Sequence, residues 1–317
     1  MHQEVLKQSR TIKEYLGLCL RGFCMGAADV VPGVSGGTMA FITGIYEELI
    51  LSIRSVDHRA MKLLIKFRIL DALNQVRWQF LLAVLTGILA AILSLAKGIQ
   101  WLLEHQPVLI WSFFFGLVLA SVFTVRKQVT RWDGVVSSAA FAAALFAYLV
   151  VGLVPVETPD STWFIFLCGV IAICAMILPG ISGSFILVLM GKYHYILSAV
   201  NTRDLVVIAT FSLGAAIGIL TFAQLLGWVF KRYHNLAIAV LTGLMAGSLR
   251  KVWPWKETLN TITNRHGKEV PIEQLNVIPA GISADVVAAV GLAFLGFAFV
   301  YLLDRAASSR KDPTPPG

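Results

Sequence analysis

Ten apolar stretches follow one another along the 317 residues, at about 15–31, 38–53, 79–97, 107–125, 134–154, 163–178, 184–198, 206–230, 235–249 and 283–303. Crossing a hydrocarbon core of about 30 Å takes roughly 20 helical residues, so most of these stretches are near the length of a membrane span. Lipid offers no partner to an open backbone amide or carbonyl, and each stretch is therefore expected to be helical. The composition agrees. The chain is 57% hydrophobic and 14% charged with a mean hydropathy of +0.76, against roughly 45–50% and 25% for a soluble domain. No stretch remains for a soluble catalytic domain. The opening MHQEVLKQSRTIKEYLGLCLRG carries dispersed charges and no small-residue cleavage site, which is unlike a removable signal peptide.

A net charge of +8 would raise the question of nucleic acid in a soluble protein. Here Lys and Arg gather in short connections, where the positive-inside rule accounts for them. Nucleic-acid binding is not expected. Cys19, Cys24, Cys168 and Cys174 all fall within apolar segments without metal or disulfide spacing, and read as small buried residues.

The chain repeats itself. An offset of 147 lays GAADVVPGVSGGTMAFITGIYEELILSI (26–53) on ICAMILPGISGSFILVLMGKYHYILSAV (173–200), with Ala28/Ala175, Pro32/Pro179, Gly33/Gly180, Ser35/Ser182, Gly36/Gly183, Gly44/Gly191 and Tyr46/Tyr193 identical. Further on, an offset of 127 pairs Gly87 with Gly214, Trp101 with Trp228, Gly116 with Gly243 and Ser121 with Ser248. The basic segment 54–78 of the first half accounts for the change. The expected fold is an all-α polytopic membrane protein of two repeats, 1–154 and 155–305, with a loose tail at 306–317. Each repeat holds a Pro-Gly-broken, re-entrant helical hairpin (15–53 and 163–198) followed by three transmembrane helices. A hairpin adds an even number of crossings whether its arms span or turn back, so each half crosses an odd number of times and the halves are inverted. With both termini on the cytoplasmic side of an inner membrane, the inside segments collect 18 of the 26 Lys and Arg. The polar loop 250–282, with five basic residues, is the exception and is placed outside.

The breaks are the strongest candidates for a site. Proline withdraws a backbone donor and glycine permits turns that other residues resist. Irregular backbone at membrane depth is tolerated where protein buries it or where it lines a wet cavity. New helices should begin near Thr38 and Phe185, their first amides facing back into each break. Such helix ends favour an anion, and in inverted repeats two of them meet near the midplane. The same residues could instead permit close helix packing, the reading preferred for Gly22/Gly26 and Gly214/Gly218.

Asp29, three residues before Pro32, could relay a proton or cap the following turn. Arg21 could reach a phosphate or snorkel to the surface. Glu47 and His194 follow the shared tyrosines, Tyr46 and Tyr193, as titrating candidates, and Lys192 is a further cation. With no HExxH, Walker sequence or ligand-spaced carboxylates, neither a metal nor a cofactor nor an enzyme is expected.

RGFCMGAADVVPGVSGGTMAFITGIYEELI and ILPGISGSFILVLMGKYHYIL resemble the paired signatures of the PopT-type polyprenyl-phosphate transporters. The resemblance implies return of undecaprenyl phosphate from the outer to the inner leaflet, which recycles the carrier lipid of envelope polysaccharides such as peptidoglycan. It implies a head-group site at Arg21, Pro32, Gly33, Ser35, Gly36, Gly37 and Thr38 with Pro179, Gly180, Ser182, Gly183 and Ser184. Asp29, Tyr46, Glu47, Tyr193 and His194 become coupling or gating candidates, with a proton or sodium ion as driver. The second copy departs at Met176 and His194, where the first has Asp29 and Glu47. A transporter of a small soluble anion and a lipid phosphatase are the alternatives.

Overall fold

The computed structural model describes residues 10–31, 34–57, 60, 62–63, 66–156, 158–263 and 269–308. Helix α1 (Ile12–Asp29) starts at a capping box: Thr11 Oγ1 accepts from the Glu14 amide while the Glu14 carboxylate takes the Thr11 amide, at 3.4 and 2.7 Å. Two orphan donors of the first turn are thereby satisfied. The helix stops at Asp29, just ahead of the Pro-Gly pair in the sequence. Two short helices follow, α2 (Gly36–Ile42) and α3 (Tyr46–Arg54), and then α4 (Ile69–Gln75) within the basic segment. Three longer apolar helices complete the first half: α5 (Trp78–His105), α6 (Pro107–Arg126) and α7 (Gly134–Val150). The second half runs α8 (Thr162–Ile177), α9 (Gly183–Leu189), α10 (Tyr193–Thr202), α11 (Leu205–Arg232), α12 (His234–Ser248) and α13 (Ala284–Ser308).

By length and composition, Trp78–His105, Pro107–Arg126, Leu205–Arg232 and Ala284–Arg305 can each cross a membrane, and the bent pair α9–α10, folded by 107°, makes a fifth candidate. Helices α7, α8 and α12 are apolar but shorter, at 17, 16 and 15 residues. The chain is thus a mainly helical, multi-pass membrane protein. Two expectations need correction. The polar loop 250–282 contains an antiparallel hairpin, β1 (Lys256–Thr263) with β2 (Glu269–Asn276), in which Lys256 faces Asn276. Residues 306–308, assigned to a loose tail, continue α13, and the rest of the tail lies outside the described residues.

Glycine sets the closest approaches. A methyl group at Gly22 would strike the Val84 backbone, at Gly26 that of Ile88, and at Gly87 that of Cys19, so α1 and α5 lie backbone to backbone and run parallel. Gly169, Gly214 and Gly218 join α8 to α11 in the same way, Gly243 and Gly247 join α12 to α7, and Gly116 and Gly296 join α6 to α13. Without a hydrophobic drive between helices in lipid, such contacts supply much of the association.

Polar pairs show which ends share a face. Arg10–Glu48 (2.7 Å), Tyr15–Gln79 (3.2 Å), Arg54–Gln224 (2.9 Å), Glu47–His234 (3.0 Å) and Lys127–Asp304 (3.3 Å) gather at one face. Lys192–Asp160 and the bond from Arg250 to the Tyr148 carbonyl lie at the other. Helices α1 and α3 therefore both have an end at the first face.

Candidate functional site

The two breaks share a backbone plan. Ser35 and Ser182 precede α2 and α9 with nearly the same dihedrals, φ −112°, ψ 131° and φ −99°, ψ 131°. Seven residues later each helix ends, and Gly44 (φ +72°) and Gly191 (φ +65°) take the left-handed conformation that glycine adopts without strain. The closing bonds match as well: Ile45 N–H to Ala40 O and Lys192 N–H to Leu187 O, both 2.9 Å.

The tips touch across 141 or more residues of chain. Ser35 Oγ donates toward the carbonyls of Met176 and Leu178, each at 3.2 Å, and Thr38 Oγ1 accepts from the Gly180 amide at 3.0 Å. Ser35 and Thr38 are both buried, as are Pro179 and Ser182. A Cβ at Gly37 would come within 2.5 Å of the Ile177 carbonyl, so only glycine admits this approach. Gly180 itself sits at φ +90° against the Leu244–Met245 backbone.

What closes each tip differs. The Gly36 amide donates to Asp29 Oδ1 at 2.7 Å, Gly37 donates to Ser35 Oγ at 3.1 Å, and Thr38 donates to the Ser35 carbonyl at 2.9 Å. In the first copy the Gly36, Gly37 and Thr38 amides expected to face an external anion thus already have partners, because a buried N–H group must find an acceptor. Asp29 occupies the position of a cap. In the second copy Met176 stands where Asp29 does and offers no acceptor, and a Cβ on Gly183 would meet the Ala172 carbonyl first, at 2.5 Å. Ser182 makes no capping bond and pairs instead with Ser184, Oγ to Oγ at 2.8 Å. All seven residues of α2 are buried, whereas α9 buries Gly183, Phe185 and Leu187 and leaves Val188 exposed.

The remaining candidates disperse. Pro32 and Gly33 lie outside the described residues. Tyr46 is buried against Phe41 and Phe230 (ring centroids 4.8 and 5.9 Å), and its hydroxyl has no hydrogen-bond partner among the described residues. Glu47 pairs with His234 at the first face, while Tyr193 and the exposed His194 stack edge-on at the other. Arg21 is half-buried on α1. Lys192, nearly sealed from solvent, donates to the Thr158 carbonyl and to Asp160 (2.6 and 2.5 Å). With the Val156 amide on the Leu189 carbonyl, these bonds strap Val156, Thr158 and Asp160 over the end of α9. The inter-tip bonds and the strap were not expected from the sequence, since neither leaves a local pattern.

Residues 25–270 match the model of a family described as undecaprenyl phosphate translocase-like. A polyprenyl-phosphate transporter of Vibrio cholerae serotype O1 is 45% identical over 265 residues, covering 84% of this chain and 86% of that protein. A polyprenyl-phosphate transporter of Staphylococcus aureus is 28% identical over 254 residues, 74% of this chain and 85% of that protein. No solved structure matches. These relatives are transporters and not enzymes, and the chain belongs to the undecaprenyl phosphate translocase-like family.

Proposed function

We propose that the protein carries polyprenyl phosphate, in particular undecaprenyl phosphate, across the bacterial inner membrane from the outer to the inner leaflet, so that the carrier lipid re-enters envelope synthesis. The observation that carries this reading is the meeting of the two broken hairpins through Ser35, Thr38 and Gly180. Irregular backbone at the centre of an apolar helical protein is where transporters of inverted design bind their cargo. The phosphate is held between the tips, with Ser182, Gly183 and Ser184 as its first partners and with the Asp29 carboxylate yielding Gly36 to it during the cycle. The prenyl tail stays in lipid.

The two repeats are 1–154 and 155–305, inverted, each with a re-entrant hairpin. In support, the tight helix pairs exchange under this overlay: α1 with α5 corresponds to α8 with α11, and α7 with α12 corresponds to α13 with α6. Both termini are cytoplasmic, since Arg10, Arg54, Arg77 and Lys127 gather at the first face. A proton or sodium gradient drives the cycle, with Asp29, Tyr46, Glu47, Tyr193 and His194 as the coupling or gating residues. Proteoliposomes with labelled undecaprenyl phosphate test the reading: leaflet exchange should exceed that in empty vesicles by at least tenfold, and equal rates would overturn it.

A further inference from the structure

The five basic residues that break the charge bias of the chain, Arg250, Lys251, Lys256, Arg265 and Lys268, all belong to 250–282. Three of them line one cavity. Arg250, Lys251 and Lys256 meet there with Gln274 and Asn276 of β2 and with Phe185 of the second hairpin, around a volume of about 90 Å³. A single water needs only about 10–15 Å³ of such space.

Among the described residues, none of the three cations reaches a carboxylate. Arg250 donates to the Tyr148 carbonyl at 2.9 Å and lies 4.5 Å over the Tyr148 ring. Lys251 Nζ sits 4.4 Å over Phe185, and Lys256 Nζ sits 4.5 Å over Trp111 while donating to the Lys251 carbonyl at 2.6 Å. Each aromatic contact offsets about 0.5–2 kcal/mol of the cost of burying a cation. That accounts for one lysine on one ring. It does not account for three charges converging without a counter-ion among the described residues, where burial and the neighbouring Lys251 charge push Lys256 down to about 7. Gly152 adds to the fit, since a Cβ there would collide with the guanidinium of Arg250.

We propose that this cavity docks a phosphoryl anion, the head group of a lipid phosphate, at the face opposite Arg10. A guanidinium fork beside two ammonium groups suits phosphate oxygens. The surface around it suits a lipid: Leu153, Val154 and Val188, which line the same cavity, are 58%, 49% and 38% exposed. Leu189 in the cavity wall is six residues along α9 from Gly183 at the break, about 9 Å at 1.5 Å per residue. The docked head group is therefore one short helix away from the tips. Capture of a lipid rests on the transport reading above, whereas capture of an anion does not.

The full chain in phosphatidylcholine nanodiscs is labelled with an amine-acetylating reagent and mapped by mass spectrometry, with farnesyl phosphate, inorganic phosphate or farnesol present. Farnesyl phosphate is expected to slow acetylation of Lys251 and Lys256 at least fivefold and that of Lys13 not at all, with farnesol inert. Equal protection by inorganic phosphate at the same concentration would assign the site to the free anion, and protection by farnesyl phosphate alone assigns it to the lipid head group. Calorimetry should give a Kd for farnesyl phosphate at least tenfold weaker in Lys251→Gln/Lys256→Gln and within about threefold of the parent in Lys251→Arg/Lys256→Arg, whose retained binding reports an intact fold. Unprotected lysines with an unchanged Kd in the glutamine variant would overturn the proposal, even where leaflet exchange proceeds. Protection without leaflet exchange would leave the docking site standing and remove the transport reading.

Discussion

The first and second hairpins have the same turns and different closures. In the first, the helix end after the break is sealed by the protein's own carboxylate, Asp29, within a fully buried α2. In the second, Met176 seals nothing, a pair of serine hydroxyls faces the break, and α9 shows one flank. One residue at an equivalent position thus gives matched turns two different closures, which would divide their labour in the proposed transport. The first tip is closed by its own carboxylate, the second leaves Val188 of α9 exposed, and the cationic cavity lies along α9.

Substitutions at this pair should break the comparison most strongly. Asp29→Met copies the second closure into the first and leaves the buried Gly36 amide without its acceptor, at about 1–3 kcal/mol. Leaflet exchange in proteoliposomes is expected to fall at least tenfold. Met176→Asp, which copies the first closure into the second, should slow exchange less, since no side-chain capping bond of the second tip is lost. Equal rates for both variants would erase the proposed division of labour. Next in size is Thr38→Val, which deprives the Gly180 amide of its acceptor. A loss of about 1–3 kcal/mol is expected in detergent unfolding, and an unchanged midpoint would mean that the tips do not hold each other.

The strap supplies a smaller contrast, because Lys192 has Ile45 as its counterpart in the first copy. Lys192→Met removes two charge-assisted bonds but leaves Asp160 hydrated, so about 1–2 kcal/mol is lost, and protease cleavage within 155–161 should quicken. The smallest effect concerns pH. Lys256 is held down to about 7 in the folded protein, below its ordinary 10.5. Between those values the unfolded chain binds a proton that the folded chain does not, so stability rises with pH from about 7 to 10.5, and below about 7 the cost is felt in full. Without phosphate present, Lys256→Met should flatten that rise in melting temperature. An equal slope in both proteins would place the titration elsewhere.

Much of the fold was legible because the decisive residues describe their own backbone. Gly44 and Gly191, paired by the offset of 147, both take positive φ at matched turns, and the apolar lengths marked the long helices. The β-hairpin was missed because 250–282 was judged by polarity. The β-branched Thr258, Thr261, Ile262, Val270 and Ile272 carried the signal that polarity hid. At the site, the Pro-Gly-x-Ser-Gly spacing located the tips but could not choose between Asp29 as cap and Asp29 as relay. That choice depends on how sharply the chain turns between Asp29 and Gly36. The bonds from Ser35 to Met176 and Leu178 are a property of the assembled halves, and no window of sequence contains them.

The glycine contacts between α1 and α5, and between α8 and α11, carry a mechanical consequence. Where two backbones touch, no layer of side chains can shear, and each first arm is welded to the long helix after the hairpin. A tilt at either tip is then inherited by a 28-residue rod, which turns a small displacement at the centre into a wide swing at the protein's rim.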